Sequence, residues 1–551
     1  MLVAEAVGKA LASLGIDTVF GVVGSGNFHV TNALIAGGAR YVATRHECGA
    51  ATMADAYART SRKVGAISLH QGCGLTNAMT GIAEAAKSRT PLLVLAADTA
   101  AAAVRSNFRV DQDALAVAVG AVPERIHSPR SAVADAARAF RVAAEQRRTV
   151  VLNMPLDVQA AACPEDATAP GGRAPALKPP RPSPEAVAEL ADALARARRP
   201  VFVAGRGARI ARARASLERL ADRSGALLAT SAVAKGLFNG NPWYLDVSGG
   251  FATPLSAALI RGADLLVGWG CALNMWTMRH GWLIGPGATV AQVDLDADAI
   301  GAHRPVDLGV LGDVDQTALA VADELQARGH TASGYRSEGL RERIARESRW
   351  RSLPYEDDSD GSRIDPRTLS IALDDLLPAE RVVAIDSGNF MGYPSMYLSV
   401  PDDDGFCFTQ AFQSIGLGLF TAVGAALAQP GRLPVAALGD GGALMAIAEL
   451  ETVVRLGLPM VIVIYDDEAY GAEVHHFGPD GHPLDTVRFP PTDIASIGRG
   501  FGCEGVTVRS RDDLKAVDEW VRGPRDRPLV IDAKVVSDRG SWWLEEAFRG
   551  H

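Results

Sequence analysis

The interval from Asp440 to Asp467 constrains the fold of this chain more than any other stretch. The two aspartates stand 27 positions apart, each just after an apolar run, in Gly439-Asp440-Gly441 and in Tyr465-Asp466-Asp467. The spacing predicts one helix over residues 443–456, a Gly-Leu-Pro stop at residues 457–459, and one strand over residues 460–465. That strand is continuously apolar, as a parallel sheet covered on both faces requires. Two consecutive parallel strands bring their carboxyl ends to one edge, so Asp440 and Asp467 should meet there. Their oxygens suit a hard divalent cation. Gly441 and Gly442 carry no Cβ, which lets backbone N–H groups close on a phosphate at the start of the helix. On residues alone, the stretch reads as a divalent ion clamping a diphosphate.

The same alternation of strand and helix runs through the chain. Helices are expected over residues 3–14, 49–59, 75–87 and 132–145, with strands at 18–23, 41–44, 64–69, 91–96 and 149–153. From residue 162 to 184 the composition turns to Pro, Gly, Ala and Arg without periodicity, which marks a linker. Strands near residues 200–204, 265–268 and 289–294 form a second unit, and strands at 382–386, 434–438, 461–465 and 529–534 a third. A polar stretch around residues 349–362 separates the two. The fold class is therefore α/β, with three doubly wound parallel-sheet domains. A length of 551 residues agrees, being too great for one core.

Charge narrows the partners. A net charge of −9 spread along the chain, with Lys and Arg scattered among more acidic residues, predicts no nucleic-acid partner. No apolar run is long enough to span a membrane, and the first residues lack a basic region ahead of an apolar core, so no membrane partner and a cytoplasmic location are expected. Six cysteines without paired spacing predict buried free thiols.

Gly439-Asp440-Gly441, followed at this distance by Asp466-Asp467, resembles the signature of the thiamine-diphosphate (ThDP) enzymes, in the acetohydroxyacid synthase, benzoylformate decarboxylase and pyruvate decarboxylase superfamily. The resemblance implies Mg²⁺, with Ca²⁺ also admissible, held by Asp440, Asp467 and the carbonyl of Ala469. It places Gly439, Gly441, Gly442, Tyr470 and Gly471 against the cofactor. Asp466-Asp467 stands where the family carries Asn-Asn, which alters the charge of the site. The family layout implies a pyrimidine-binding domain over residues 1–162, a central Rossmann-like domain over 184–335 and a diphosphate-binding domain over 363–551. Its cofactor is gripped by the first domain of one subunit and the third of another, so a homodimer or homotetramer with interfacial sites follows.

In the first domain, Arg45-His46-Glu47-Cys48-Gly49-Ala50 ends a strand and opens a helix. Taken by itself, Glu47 is a first-turn carboxylate favoured by the helix dipole. The resemblance makes it the residue that bonds the cofactor pyrimidine and promotes loss of the thiazolium C2 proton. The turn over residues 21–29 holds Ser25, which matches a serine touching the substrate carboxylate in benzoylformate decarboxylase, with Gly26 an insertion; Asn27 and His29 are further substrate candidates, and helix capping is the alternative. His70 follows the next strand and matches a proton-transfer histidine, while Gln71 matches a glutamine of the carboligases. Arg105, Arg109, Asp111 and Gln112 form a polar loop like one in the synthases. Either arginine could pair with a keto-acid carboxylate or lie in solvent.

In the third domain, Asp386-Ser387-Gly388-Asn389 follows a strand like the family's first diphosphate loop, which puts Gly388 and Asn389 on the cofactor. Gln413-Ser414-Ile415-Gly416 resembles the segment that bends it, with Ile415 wedged between the rings and the Gln413 carbonyl receiving the 4′-amino group; a core role for Ile415 is the alternative. Glu473, six positions after Asp467, resembles the catalytic glutamate of pyruvate decarboxylase, and otherwise reads as an exposed helix glutamate. His475 and His476 could line the entry channel, and His280 could donate from the central domain. FAD is disfavoured, because Ala272-Leu273-Asn274-Met275 replaces the run that synthases place near their flavin. The expected activity is a ThDP- and Mg²⁺-dependent lyase or carboligase that decarboxylates a 2-keto acid and transfers the acyl unit to a carbonyl acceptor. A plain decarboxylase releasing aldehyde and a non-catalytic cofactor-binding or regulatory subunit are the alternatives.

Overall fold

A computed structural model describes residues 1–167, 177–541 and 543–544. Part of the linker expected over residues 162–184, and the last residues of the third domain, lie outside the described residues.

Three six-stranded, wholly parallel sheets are present. The first contains β1 (Thr18–Gly21), β2 (Arg40–Ala43), β3 (Gly65–Leu69), β4 (Leu92–Asp98), β5 (Val122–Arg125) and β6 (Thr149–Pro155), in the order 2-1-3-4-6-5. The second contains β7 (Pro200–Ala204), β8 (Leu227–Thr230), β9 (Tyr244–Val247), β10 (Leu265–Trp269), β11 (Thr289–Asp294) and β12 (Leu308–Leu311), in the order 12-11-10-7-8-9. The third contains β13 (Arg381–Ile385), β14 (Phe406–Phe408), β15 (Leu433–Gly439), β16 (Val461–Asp466), β17 (Glu504–Val508) and β18 (Leu529–Lys534), in the order 14-13-15-16-18-17. The first and third sheets thus share one topology, each with its strand order reversing between the first and third strands. Such a reversal opens a crevice beyond the carboxyl ends, where α/β proteins bind ligands.

Local sequence sets where helices begin. Ser183-Pro184, Thr253-Pro254 and Asp365-Pro366 each pair a capping side chain, which accepts a backbone N–H from the first turn, with a proline in that turn. The central strands are buried along their length, and the helices Glu47–Ser61 and Gly418–Ala428 lie side by side, so one hydrophobic core runs continuously from the first sheet to the third. Phe20, Ile67 and Val94 belong to it together with Leu438 and Ile462.

Two expectations need correction. The single helix over residues 443–456 is instead three short pieces, Asp440–Met445, Ile447–Glu449 and Leu450–Arg455. The bend turns Glu449 inward, where Oε1 accepts the backbone N–H groups of Arg45 (2.8 Å) and His46 (3.1 Å), a pull that periodicity does not reveal. The cysteines are all free, but Cys73 is exposed and Cys48 half-buried.

Candidate active site

The edge of the third sheet assembles as the spacing requires. Gly439 at the end of β15 is in register with Tyr465 of β16, so Asp440 and Asp467 leave neighbouring strands side by side. Burial and repulsion from Asp467 and Asp466 push Asp440 up to about 8; burial and repulsion from Asp466 push Asp467 up to about 7. Asp440 is buried and Asp467 half-buried, and a cation between two carboxylates crowded in this way would favour the ionised form of both. With the Ala469 carbonyl they offer three protein oxygens, which leaves room for a diphosphate and water around a Mg²⁺ or Ca²⁺ ion. A Cβ on Gly442 would lie 2.2 Å from Asp386 Oδ2, so only glycine fits there. The residues present therefore fit a metal-bound diphosphate.

Asp466 does not join them. Its carboxylate turns into the sheet, where Oδ2 accepts from Lys534 Nζ and Oδ1 accepts the Glu468 N–H at 3.1 Å. Lys534 in turn lies 3.2 Å from Asp532 and donates to the Thr492 carbonyl at 2.9 Å. Of the two charges that distinguish Asp466-Asp467 from Asn-Asn, that of Asp466 is thus met by a buried lysine, while that of Asp467 stays at the sheet edge. Glu468, whose N–H Asp466 holds, has a φ of 57°, so this contact shapes the turn that presents Asp467 and Ala469. Asp466→Asn should lower stability by about 1–3 kcal/mol in urea denaturation, because Lys534 keeps only Asp532 as a charge partner. Mg²⁺ affinity should change less than about threefold, since the carboxylate is engaged by Lys534 and the Glu468 N–H and is not free to ligate. A tenfold loss of affinity at unchanged stability would place Asp466 on the metal instead.

A cavity of about 2060 Å³ opens at this edge and runs on past the second sheet. Gly388, Asn389, Gln413, Ile415, Gly439, Asp440, Gly441, Gly442, Asp467, Ala469, Tyr470, Gly471 and Glu473 all line it. His475, His476 and His280 do not. His475 packs against Gly540, with its Nε2 buried and burial lowering its pKa; His476 lies against Phe477; and His280 stands exposed in a short turn of the central unit. Trp543 and Leu544 close over the cavity from the far end of the chain, a contribution no motif signalled.

The second group gathers at the reversal of the first sheet. Glu47 opens its helix half-buried, and its Oε2 accepts from Asn77 Nδ2 at 3.0 Å. His70 Nδ1 accepts the Gly26 N–H at 3.2 Å, which leaves the proton on Nε2, and the ring meets Phe108 edge-on at 5.2 Å. Burial lowers the His70 pKa and the charge of Glu47 opposes that, so the imidazole is neutral at pH 7. Gln71 is buried with Oε1 unpartnered, and a Cβ on Gly26 would fall 1.9 Å from that oxygen. The glycine read as an insertion is what lets Gln71 occupy its place. Ser25 is exposed on the same turn, His29 is exposed in the first turn of the helix Phe28–Ala36 that follows, and Arg105 and Arg109 are exposed on their loop.

Asn27 and Gln112, expected as substrate contacts, lie buried in the frame of the turns. Asn27 is 1% exposed; it accepts from the Gly24 N–H and donates to the Val22 carbonyl and Ser68 Oγ. Gln112 is 2% exposed; it accepts the Gly72 N–H and donates to the Ala97 carbonyl and Asn153 Oδ1. Both spend their polar atoms holding the turns that carry Ser25 and Gln71.

Within one chain the two groups stay apart. None of Ser25, Glu47, His70 and Gln71 lines the cavity that holds Asp440 and Asp467.

Sequence comparison gives the same three-part division of labour. Residues 1–117 match the family model for the thiamine pyrophosphate enzyme N-terminal TPP binding domain, residues 187–321 that for the central domain, and residues 386–533 that for the C-terminal TPP binding domain. A "Probable 2-ketoarginine decarboxylase" of Pseudomonas aeruginosa is 30% identical over 535 residues, covering 94% of this chain and 91% of that protein. The acetolactate synthase large subunit of Parasynechococcus marenigrum is 28% identical over 550 residues, covering 97% and 87%. A sulfoacetaldehyde acetyltransferase of Rhodobacter capsulatus is 28% identical over 579 residues, covering 99% and 96%.

Proposed function

The chain belongs to the thiamine-pyrophosphate-dependent enzymes, and from that premise we propose that it is a Mg²⁺-dependent carboligase that decarboxylates a 2-keto acid and passes the acyl unit to a carbonyl acceptor. The observation that carries the reading is the Asp440–Asp467 pair lining a cavity together with every residue assigned to the diphosphate half of the cofactor. When bound, the cofactor supplies a nucleophilic carbon and an electron sink for a carbonyl substrate. The chain's own residues do the rest. Asp440, Asp467 and the Ala469 carbonyl would hold the metal; Gln413 and Ile415 would orient the ring system; Glu47 would share a proton with the pyrimidine; and His70, a neutral ring with its proton on Nε2, would donate a hydrogen bond to the substrate. Ser25 and Gln71 would orient the substrate beside it, and Glu473 of the other copy would close the site from the diphosphate side in the dimer this reading requires.

Since Glu47 and Asp440 face different spaces in one chain, the reading requires two copies, each completing the other's site, in a homodimer or a dimer of dimers. The division into residues 1–162, 184–335 and 363–551 is part of this proposal. A plain decarboxylase is the second reading, favoured by the proton-bearing His70 and by the activity for which the Pseudomonas relative is named.

The test is a panel of 2-keto acids incubated with ThDP and Mg²⁺, following CO₂ and analysing products with and without added aldehyde. CO₂ release with acyloin formation supports carboligation, and free aldehyde in both arms supports plain decarboxylation. No CO₂ from any keto acid would defeat both.

A further inference from the structure

Glu84 sits on the inner face of the Cys73–Lys87 helix with no exposure to solvent. A carboxylate in an apolar interface demands partners, and it has four. Oε1 accepts from Arg59 Nη2 (2.8 Å), Ser88 Oγ (3.1 Å) and the Ala411 N–H (3.1 Å), while Oε2 accepts the Phe412 N–H at 2.6 Å. Arg59 is fixed in turn by both oxygens of Asp55 and by the Phe408 carbonyl. Burial pushes the Glu84 carboxyl up, but Arg59 and the two amides outweigh it and hold the group ionised.

The two amides belong to the loop that presents Gln413 and Ile415. Its far end is tied within the third sheet's own unit, where Asp386 accepts the N–H groups of Gly416 (3.0 Å) and Leu417 (3.2 Å). At its near end Thr409 Oγ1 meets Thr421 Oγ1 (2.8 Å) within that unit, and the next backbone N–H groups, those of Ala411 and Phe412, are held by Glu84 from a different sheet's unit. Between the anchors, Gln413 is held at a φ of 60°, a left-handed conformation that a residue with a side chain adopts when its surroundings impose it. That torsion sets the direction of the Gln413 backbone, and both Gln413 and Ile415 line the cavity.

We propose that Glu84 is a positioning residue for the cofactor: clamped by Arg59, it fixes the near end of the loop over residues 410–415 and so aims Gln413 and Ile415 at the ring system. The inference rests on the functional reading above for what the loop holds. It adds that the first sheet's unit acts on two sites. The helix that carries Glu84 also carries Asn77, seven residues earlier, whose amide binds Glu47. In a dimer built as proposed, one helix would thus steady the acid of one site and the loop of the other.

The test uses the full-length protein carrying Glu84→Asp, which keeps the charge opposite Arg59 but is one methylene too short to reach the loop. Three quantities are measured: amide hydrogen exchange over residues 410–415 in the cofactor-free protein, the dissociation constant for ThDP with Mg²⁺, and the rate at which the C2 proton of bound ThDP exchanges with deuterium. Exchange at residues 410–415 should rise about tenfold and ThDP should bind about tenfold more weakly. C2 exchange should slow by about tenfold or more, with the KM for a keto acid within about threefold of wild type. Wild-type loop protection and C2 exchange in Glu84→Asp, even with a lowered Tm, would overturn the inference. Should that variant not fold, Glu84→Gln, which keeps the length but cannot accept from both amides and Arg59, is read by the same criteria. Wild-type protein that neither binds ThDP nor exchanges its C2 proton would defeat the functional reading; equal behaviour of variant and wild type defeats only this one.

Discussion

Glu47→Gln is expected to lower keto-acid turnover by about 10³-fold while leaving ThDP affinity within a few-fold of wild type, the size of effect associated with removing a positioned acid. Glutamine keeps the volume and an oxygen that Asn77 Nδ2 can still reach, so the helix that starts at Glu47 has no cause to move. What disappears is the exchangeable proton. The metal and diphosphate contacts proposed above lie elsewhere, on Asp440, Asp467 and the glycines around them, which is why binding should survive when turnover does not. A second consequence follows at His70. Burial lowers its pKa and Glu47 holds it partly up, so loss of that charge lets it fall further. The limb of the residual pH–rate profile that reports His70 should then move to lower pH. Wild-type turnover in Glu47→Gln would remove Glu47 from the reaction.

Asp440→Ala should weaken ThDP binding in the presence of Mg²⁺ by about 100-fold or more, whereas Asp467→Asn should cost less than about tenfold, since an amide oxygen still serves a hard cation. The pair also predicts how the cofactor-free protein responds to pH. Asp440 and Asp467 titrate near 8 and 7 when folded, against 3.8 for an ordinary aspartate. Between these values the folded chain binds more protons than the unfolded one, so stability falls as pH rises from about 4 to about 8. Mg²⁺ with ThDP should restore Tm, most strongly at the alkaline end where the two charges repel, and Asp467→Asn should flatten the slope. A cofactor-free Tm that rises over that window, or a gain from Mg²⁺ and ThDP that is largest at pH 5, would contradict the crowding of these two groups.

The third-sheet edge was legible because Asp440 and Asp467 each follow a buried, continuously apolar strand. For such strands a sequence specifies both the parallel pairing and the edge at which the chain emerges. Half-exposed or very short strands carry no such signature. The edge strands Val122–Arg125, Phe406–Phe408 and Glu504–Val508 were missed for that reason, as were four-residue strands such as Leu227–Thr230. Polar residues in loops show the opposite failure. Asn27 and Gln112 stand in the right turns, yet composition does not say which way a side chain points, and both point inward to hold backbone. Glu84 and Glu449 are illegible for another reason: the amides they accept lie more than 300 residues away, and only the folded core brings them together. An acid in the middle of an apolar helix was the one available sign, and it does not name a partner.

Mixing Glu47→Gln with Asp440→Ala tests directly whether the site is shared between copies. At a ThDP concentration that saturates wild type but not Asp440→Ala, each variant alone should show at most a few per cent of wild-type turnover, because each lacks one half of every site. If two chains are dissociated, mixed in equal amounts and reassociated, half the dimers should be mixed, each with one intact and one doubly defective site, giving about a quarter of wild-type activity per chain. Recovery near that level is the predicted result. A mixture as inactive as its components, with mixed dimers shown to be present by mass, would contradict the account.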